Sequence, residues 1–282
     1  MSTLTITGIQ ANLQWENKKA NLDMFEEKIS SLSRATEVVV LPEMFSTGFS
    51  MNPEKLGEAM DGATLQWMKR VAAEKRVIIT GSLIIGETGA NGAMAYFNRL
   101  VWMLPNGQYG YYDKRHLFAY GDEDRHYTRG NKQLVASVNG WKIKLLVCYD
   151  LRFPVWARQS SSVTNVEDRD LEYDVLIFVA NWPERRIAAW TSLLRARAIE
   201  NQCYVVGVNR VGEDGNHIYY SGESMVIDPA GEILYQKSNL EEVFTVTLDR
   251  LHLHGIRQKF PFWKDADKFQ ILTKSGQAIG LT

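Results

Sequence analysis

Cys148 closes the apolar run Leu145-Leu146-Val147 and is followed at once by Tyr149-Asp150-Leu151-Arg152-Phe153-Pro154. A thiol released at the carboxyl end of a buried strand, into a turn that leads to a proline-started helix, is well placed to be a nucleophile. Backbone N–H groups point outward there, and a helix N-terminus favours negative charge. Two other runs end in the same way, Val38-Val39-Val40-Leu41-Pro42-Glu43 and Tyr111-Tyr112-Asp113-Lys114. A thiol, a carboxylate and an ammonium are the parts of an acyl-transfer site. A free thiol, with a pKa of about 8.5, is only about 3% thiolate at pH 7. A helix terminus, an ammonium or a base must raise that fraction or take the proton during attack. Glu43 lies between Leu41-Pro42 and Met44-Phe45, and a carboxylate held among apolar neighbours suits general-base work. Lys114, among Tyr111, Tyr112 and Phe118, can stabilise a developing oxyanion, a role worth about 10²–10³ in rate. Cys203, inside Gln202-Cys203-Tyr204-Val205-Val206, has no such exit from its strand and reads as structural.

Positioning three strand ends around one point requires an alternating architecture, and the chain has one. A strand at 4–9 is followed by Leu22, Phe25, Ile29 and Leu32 at helical spacing. Short apolar runs at 38–41, 77–84, 173–180 and 203–209 read as buried strands, with helical stretches at 62–75 and after Pro183. The second helix shows one face through Ile187, Trp190, Leu194 and Ala198. β-like segments are expected at 94–104 and 108–113, after a hairpin-like turn over 86–92. Residues 135–143 read as a hairpin with an Asn139-Gly140 turn. Residues 222–235 are again β, with a tight turn at Asp228-Pro229-Ala230-Gly231. Residues 160–172 read as a surface loop, and the last 35 or so residues as less regular. Strands alternating with helices argue for α/β, and the hairpins argue for mixed sheets. Two sheets back to back with helices outside would bury both faces of each strand. With no linker or repeat, residues 1–282 are expected to form a single domain.

The bulk properties narrow the function. Apolar residues at 45%, charged residues at 23% and a net charge of −1 are ordinary for a globular protein and give no basic stripe for nucleic acid. No apolar run reaches the roughly 18 residues that cross a bilayer, and the amino terminus reads as a strand rather than a leader. Two cysteines imply no disulfide framework, so a cytoplasmic location is expected. His252-Leu253-His254 could place two imidazoles on one strand face, but no third ligand has suitable spacing, so no metal is expected. The 86–92 segment lacks the ending of a phosphate loop, and there is no Gly-x-Ser-x-Gly.

Taken together, the pieces resemble the nitrilase (carbon–nitrogen hydrolase) superfamily over essentially the full chain. The matching segments are Leu41-Pro42-Glu43, Asp113-Lys114-Arg115-His116-Leu117-Phe118, Val147-Cys148-Tyr149-Asp150-Leu151-Arg152-Phe153-Pro154, Leu194-Arg195-Ala196-Arg197-Ala198-Ile199-Glu200-Asn201-Gln202, Gly222-Glu223-Ser224 and Asp228-Pro229-Ala230-Gly231. The resemblance implies a four-layer αββα sandwich, a triad of Glu43, Lys114 and Cys148, no cofactor, and homodimers. It also implies a second glutamate that positions substrate, for which Glu123, seven residues before Gly130, is the match. The Cys-Tyr-Asp-Leu-Arg-Phe-Pro wording is similar to the ω-amidase branch, acting on 2-oxoglutaramate and 2-oxosuccinamate. Tyr149 departs from the Trp common after the cysteine in nitrilases and aliphatic amidases. Tyr149 is expected to offer its backbone N–H to the oxyanion, and Phe118, Asn181 and Trp182 to form pocket walls. Arg195 and Arg197 read as structural ion pairs. The alternatives are another amide or carbamoyl hydrolase of the superfamily, and a silent binding protein of the same fold.

Overall fold

Each of two mixed sheets is built on three parallel strands with antiparallel flanks. The computed structural model describes residues 2–32, 35–89, 92–159, 171–267 and 269–272. The first half runs β1 (Thr3–Gln10), α1 (Lys18–Ser30), β2 (Val38–Val40), α2 (Pro53–Leu56), α3 (Ala63–Lys75), β3 (Ile78–Thr88), β4 (Met94–Met103) and β5 (Tyr109–Asp113). Then come α4 (Glu123–His126), β6 (Val135–Val138), β7 (Trp141–Val147), α5 (Pro154–Ala157), β8 (Val175–Ala180) and α6 (Ile187–Asn201). The chain finishes with β9 (Tyr204–Asn209), β10 (Val211–Glu213), β11 (Tyr219–Ile227), β12 (Ile233–Ser238), β13 (Glu242–Asp249) and α7 (Arg250–Lys259). The first sheet has the order β13-β1-β2-β3-β4-β5 and the second β10-β11-β9-β8-β7-β6, with β12 paired to β11.

The continuous Val38-Val39-Val40 run is explained by burial on both faces, since successive side chains alternate. Val38 and Val40 enter the cluster shared with Leu145, Val147 and Ile177 of the second sheet. Val39 points the other way, into a cluster with Phe25 and Ile29 of α1 and Leu65, Met68 and Val71 of α3. On the far side α6 lies against β9, where Gly207 makes the approach possible: a Cβ there would sit 2.5 Å from Leu194 Cδ1 and 2.8 Å from Trp190 Cζ2. The layers are therefore helix, sheet, sheet, helix, as expected.

Most element assignments agree with the structure. The Asn139-Gly140 hairpin has both turn residues at positive φ, 51° and 81°, as a primed turn requires. Gly231 N–H closes the expected turn on the Asp228 carbonyl at 3.0 Å. Three readings need correction. The turn expected over 86–92 lies later, because β3 continues to Thr88 and pairs Gly86 with Tyr96 and Glu87 with Ala95. The C-terminal stretch expected to be less regular contains the helix α7, whose cap is the Asp249 carboxylate accepting from Leu251 N–H at 2.8 Å. His252 and His254 therefore lie on a helix, where residues two apart diverge by roughly 200°, and His252 instead pairs with Asp228 at 2.8 Å. Most of the loop expected at 160–172 lies outside the described residues.

Candidate active site

The parallel strands β2 and β7 and the edge strand β5 end on the same side of the sandwich, so Glu43, Lys114 and Cys148 converge below a cavity of about 230 Å³. Glu43, Lys114 and Glu123 are completely buried. Lys114 Nζ lies 2.8 Å from Glu43 Oε1 and donates to both oxygens of Glu123 at 3.0 and 2.8 Å. Asn98, midway along β4, donates its amide to Glu43 at 2.8 Å and to Glu123 at 3.1 Å. The second Glu43 oxygen accepts from the Asn181 backbone N–H at 2.8 Å. Glu123 accepts the Phe118 N–H at 2.6 Å. Burial raises the Glu123 carboxyl above its ordinary range, with Lys114 pulling the other way and Glu43 pushing it further up. Lys114 is held protonated: burial opposes the charge, but Glu123 and Glu43 outweigh it.

Cys148 sits at φ +42°, in the left-handed region, which non-glycine residues adopt only when the surroundings enforce it. Met44 beside Glu43 (φ 43°) and Asp122 beside Glu123 (φ 59°) share that conformation. From this bend the Cys148 thiol donates to the Asn181 carbonyl at 3.9 Å, with Glu43 and Lys114 as its charged neighbours. Burial and the Glu43 charge push the thiol well above its usual range, and Lys114 only partly offsets them. Of the two routes the sequence leaves open, this direction favours proton removal during attack over a standing thiolate. The following helix is also only a 3₁₀ turn, Cys148–Arg152, and four residues of α5, so its dipole is small. The group is held as a thiol, so a nucleophilic role would require its proton to leave during attack. Tyr149 is the second residue of that turn, where the backbone N–H has no partner within the turn.

A buried strut fixes the nucleophile turn to the lysine loop. The Asp150 carboxylate accepts from Val147 N–H at 3.1 Å, Tyr112 OH at 2.7 Å and His116 N–H at 3.0 Å. Tyr112 OH in turn accepts from Trp156 Nε1 at 2.9 Å, and His116 stacks on Phe153 with centroids 3.8 Å apart. Truncation of Asp150 to alanine would strand several buried donors, so we expect a loss of roughly 2–4 kcal/mol in chemical denaturation. Unchanged stability would remove the strut role.

Phe118, Tyr149, Asn181 and Trp182 all line the cavity. Asn181 is tied down through its amide N–H, 2.6 Å from the Glu43 carbonyl, while its Oδ1 is buried without a hydrogen-bond partner. Arg195 donates to the Gly231 carbonyl at 2.8 Å rather than to a carboxylate, and Arg197 pairs with Glu200 at 2.9 Å. Sequence reasoning passed over Asn98, Asp150 and the cavity arginines 152, 185 and 186. A buried asparagine interrupting the apolar face of β4 was the available signal for the first. Among the described residues no cluster of His, Cys, Asp and Glu is arranged to hold a metal.

A thiol, two carboxylates and an ammonium buried below a cavity suit the hydrolysis of acyl compounds, and comparison with known proteins gives the class. The carbon-nitrogen hydrolase family model matches residues 5–258, and the chain belongs to that family. It is 41% identical over 277 residues to omega-amidase YafV of Escherichia coli K12, covering 96% of this chain and all of that one. It is 30% identical to 2-oxoglutaramate amidase of Bacillus subtilis, covering 94% and 98% of the two chains. The crystal structure of XC1258 from Xanthomonas campestris, a CN-hydrolase superfamily protein with an arsenic adduct in its active site, superposes with a TM-score of 0.90 at 41% identity, covering 96% of this chain and all of that one.

Proposed function

We propose that the protein is an ω-amidase that hydrolyses the terminal amide of 2-oxoglutaramate and 2-oxosuccinamate to the dicarboxylate and ammonia through a thioester on Cys148. The observation that carries this reading is the buried thiol–carboxylate–ammonium cluster below a cavity whose lining includes three guanidinium groups. Glu43 takes the thiol proton while sulfur bonds to the amide carbon, and the resulting oxyanion rests on Lys114 and the Tyr149 N–H. Collapse breaks the C–N bond, and Glu43 hands its proton to the departing nitrogen, which leaves as ammonia. Water then attacks the thioester with Glu43 as base; the C–S bond breaks, and the proton returns to sulfur as the acid departs. Glu123 holds Lys114 in place, and the unpartnered Asn181 Oδ1 accepts from the amide N–H₂ of the substrate.

The cycle uses no metal or organic cofactor. We further take the chain as one domain forming homodimers in the cytoplasm. Supporting this, both cysteines are free and buried, Val155 and Ile199 expose more than a third of their apolar surface, and among the described residues no helix is long and apolar enough to cross a membrane. Ammonia release should be measured on 2-oxoglutaramate, simple amides, nitriles and N-carbamoyl amino acids. We expect kcat/KM for 2-oxoglutaramate to lead by about 10²-fold or more, the scale set by one charged contact. A preference for a nitrile or an N-carbamoyl compound would overturn the substrate assignment.

A further inference from the structure

We infer that Arg186 is the residue that grips the carboxylate at the far end of the substrate, making this site selective for monoamides of short dicarboxylic acids over uncharged amides. This rests on the amidase reading above and assigns its substrate anchor. Arg152, Arg185 and Arg186 all line the cavity, and among the described residues none of the three forms an ion pair with a carboxylate. Of the buried guanidinium groups, Arg99 binds Asp113 and Glu87, Arg197 binds Glu200 and Arg257 binds Asp174, while Arg210 donates to Asn12 and to the carbonyls of Val211, Leu13 and Glu213. Arg152 and Arg186 are half-buried and Arg185 is exposed, so the three charges are partly solvated, and an anion bound among them would offset their mutual repulsion.

No carboxylate of the cavity is free to do so. Both Glu43 and Glu123 are held by Lys114. Asp214, which also lines the cavity, is engaged by Asn216 N–H at 2.8 Å, Ile218 N–H at 3.1 Å and Tyr220 OH at 2.9 Å. The partner must therefore come from outside, and a carboxylate matches a guanidinium edge in two parallel hydrogen bonds.

Of the three, Arg186 packs against two aromatic rings rather than one or none. Its guanidinium lies 5.1 Å from the Phe118 ring centroid and 5.9 Å from that of Tyr120, and among the described residues it donates no hydrogen bond, which leaves its N–H groups for a ligand. Its carbonyl accepts from Trp182 Nε1 at 2.8 Å, tying the backbone to the cavity wall. Phe118 in turn donates its N–H to Glu123 at 2.6 Å, so the anchor stands on the segment that frames the reacting end. Burial, then Arg185 and Arg152, disfavour the Arg186 charge in the free site. Arg185 is exposed, and Arg152 is stacked 5.0 Å over Trp182, where it adds positive potential.

The test compares wild type, Arg186→Met and Arg186→Lys on 2-oxoglutaramate and on pentanamide, an uncharged amide of equal chain length. Arg186→Met should lose about 10²-fold in kcat/KM on 2-oxoglutaramate, chiefly through KM, and about tenfold less than that on pentanamide, with Lys recovering part of the loss. Glutarate, as a competitive inhibitor of pentanamide hydrolysis, should weaken by a similar factor in the Met variant. Equal losses on both amides, or undiminished glutarate inhibition, would overturn the role of Arg186. Wild-type enzyme that is inhibited by glutarate but leaves 2-oxoglutaramate intact would instead overturn the ω-amidase reading and spare the anchor.

Discussion

Replacing Cys148 with alanine is expected to lower ammonia release from 2-oxoglutaramate by about 10⁴-fold or more, the scale seen when a covalent nucleophile is removed. No second thiol can stand in. Cys203 lies wholly buried next to β9, with its sulfur 3.9 Å from the Arg197 carbonyl, and burial holds its thiol far above the usual range. The substitution removes one buried atom and leaves the Asp150 strut, the Glu43–Lys114 pair and the bend at residue 148 in place. Chemical denaturation should therefore shift by no more than about 1 kcal/mol. Activity within tenfold of wild type would end the covalent mechanism, and a large loss of stability would make the result a folding effect.

The second large effect is expected from Glu43→Gln, which keeps the shape of the side chain and removes its basicity. Because burial and the Glu43 charge keep the thiol protonated, attack without a base should fall by roughly 10²–10⁴-fold in kcat. The sign of the pH response separates this from misplacement. Removing the negative neighbour lowers the thiol pKa, though burial still leaves it raised, so the thiolate fraction of the variant grows as pH rises. Residual kcat/KM should climb by close to tenfold per pH unit on the alkaline side until the thiol is ionised. A variant profile parallel to that of wild type would show that Glu43 does not take the proton.

The parts of the site that could be read from the sequence are those carried by local pattern. Val38-Val39-Val40 before Glu43 and Leu145-Leu146-Val147 before Cys148 mark strand ends, because doubly buried strands are continuously apolar. Glu123 came only through the family likeness, since nothing local separates it from the flanking Asp122 and Asp124. The bend at Cys148 was hidden because φ depends on what the turn is pulled against, here Asp150 and the lysine loop. Asn98 and Arg186 matter through contacts with residues 43, 118 and 123, which no periodicity encodes. The extension of β3 past Gly86 was missed because that glycine sits under the Tyr96 ring, 3.1 Å from where its Cβ would be. The turn glycine was a cross-strand packing glycine. Helix α7 was obscured by alternation in His252-Leu253-His254, a period that suits a strand and here covers barely one helical turn.

In the proposed mechanism Cys148 carries the acyl group between release of ammonia and release of the acid. Wild-type enzyme turning over 2-oxoglutaramate should be quenched in acid at successive times and its peptides mapped by mass. We expect the 2-oxoglutaryl mass on the peptide containing Cys148, reversed by mild alkali as a thioester is. An acyl mass on any other residue, or first-turnover ammonia release with Cys148 unmodified throughout, would contradict the account.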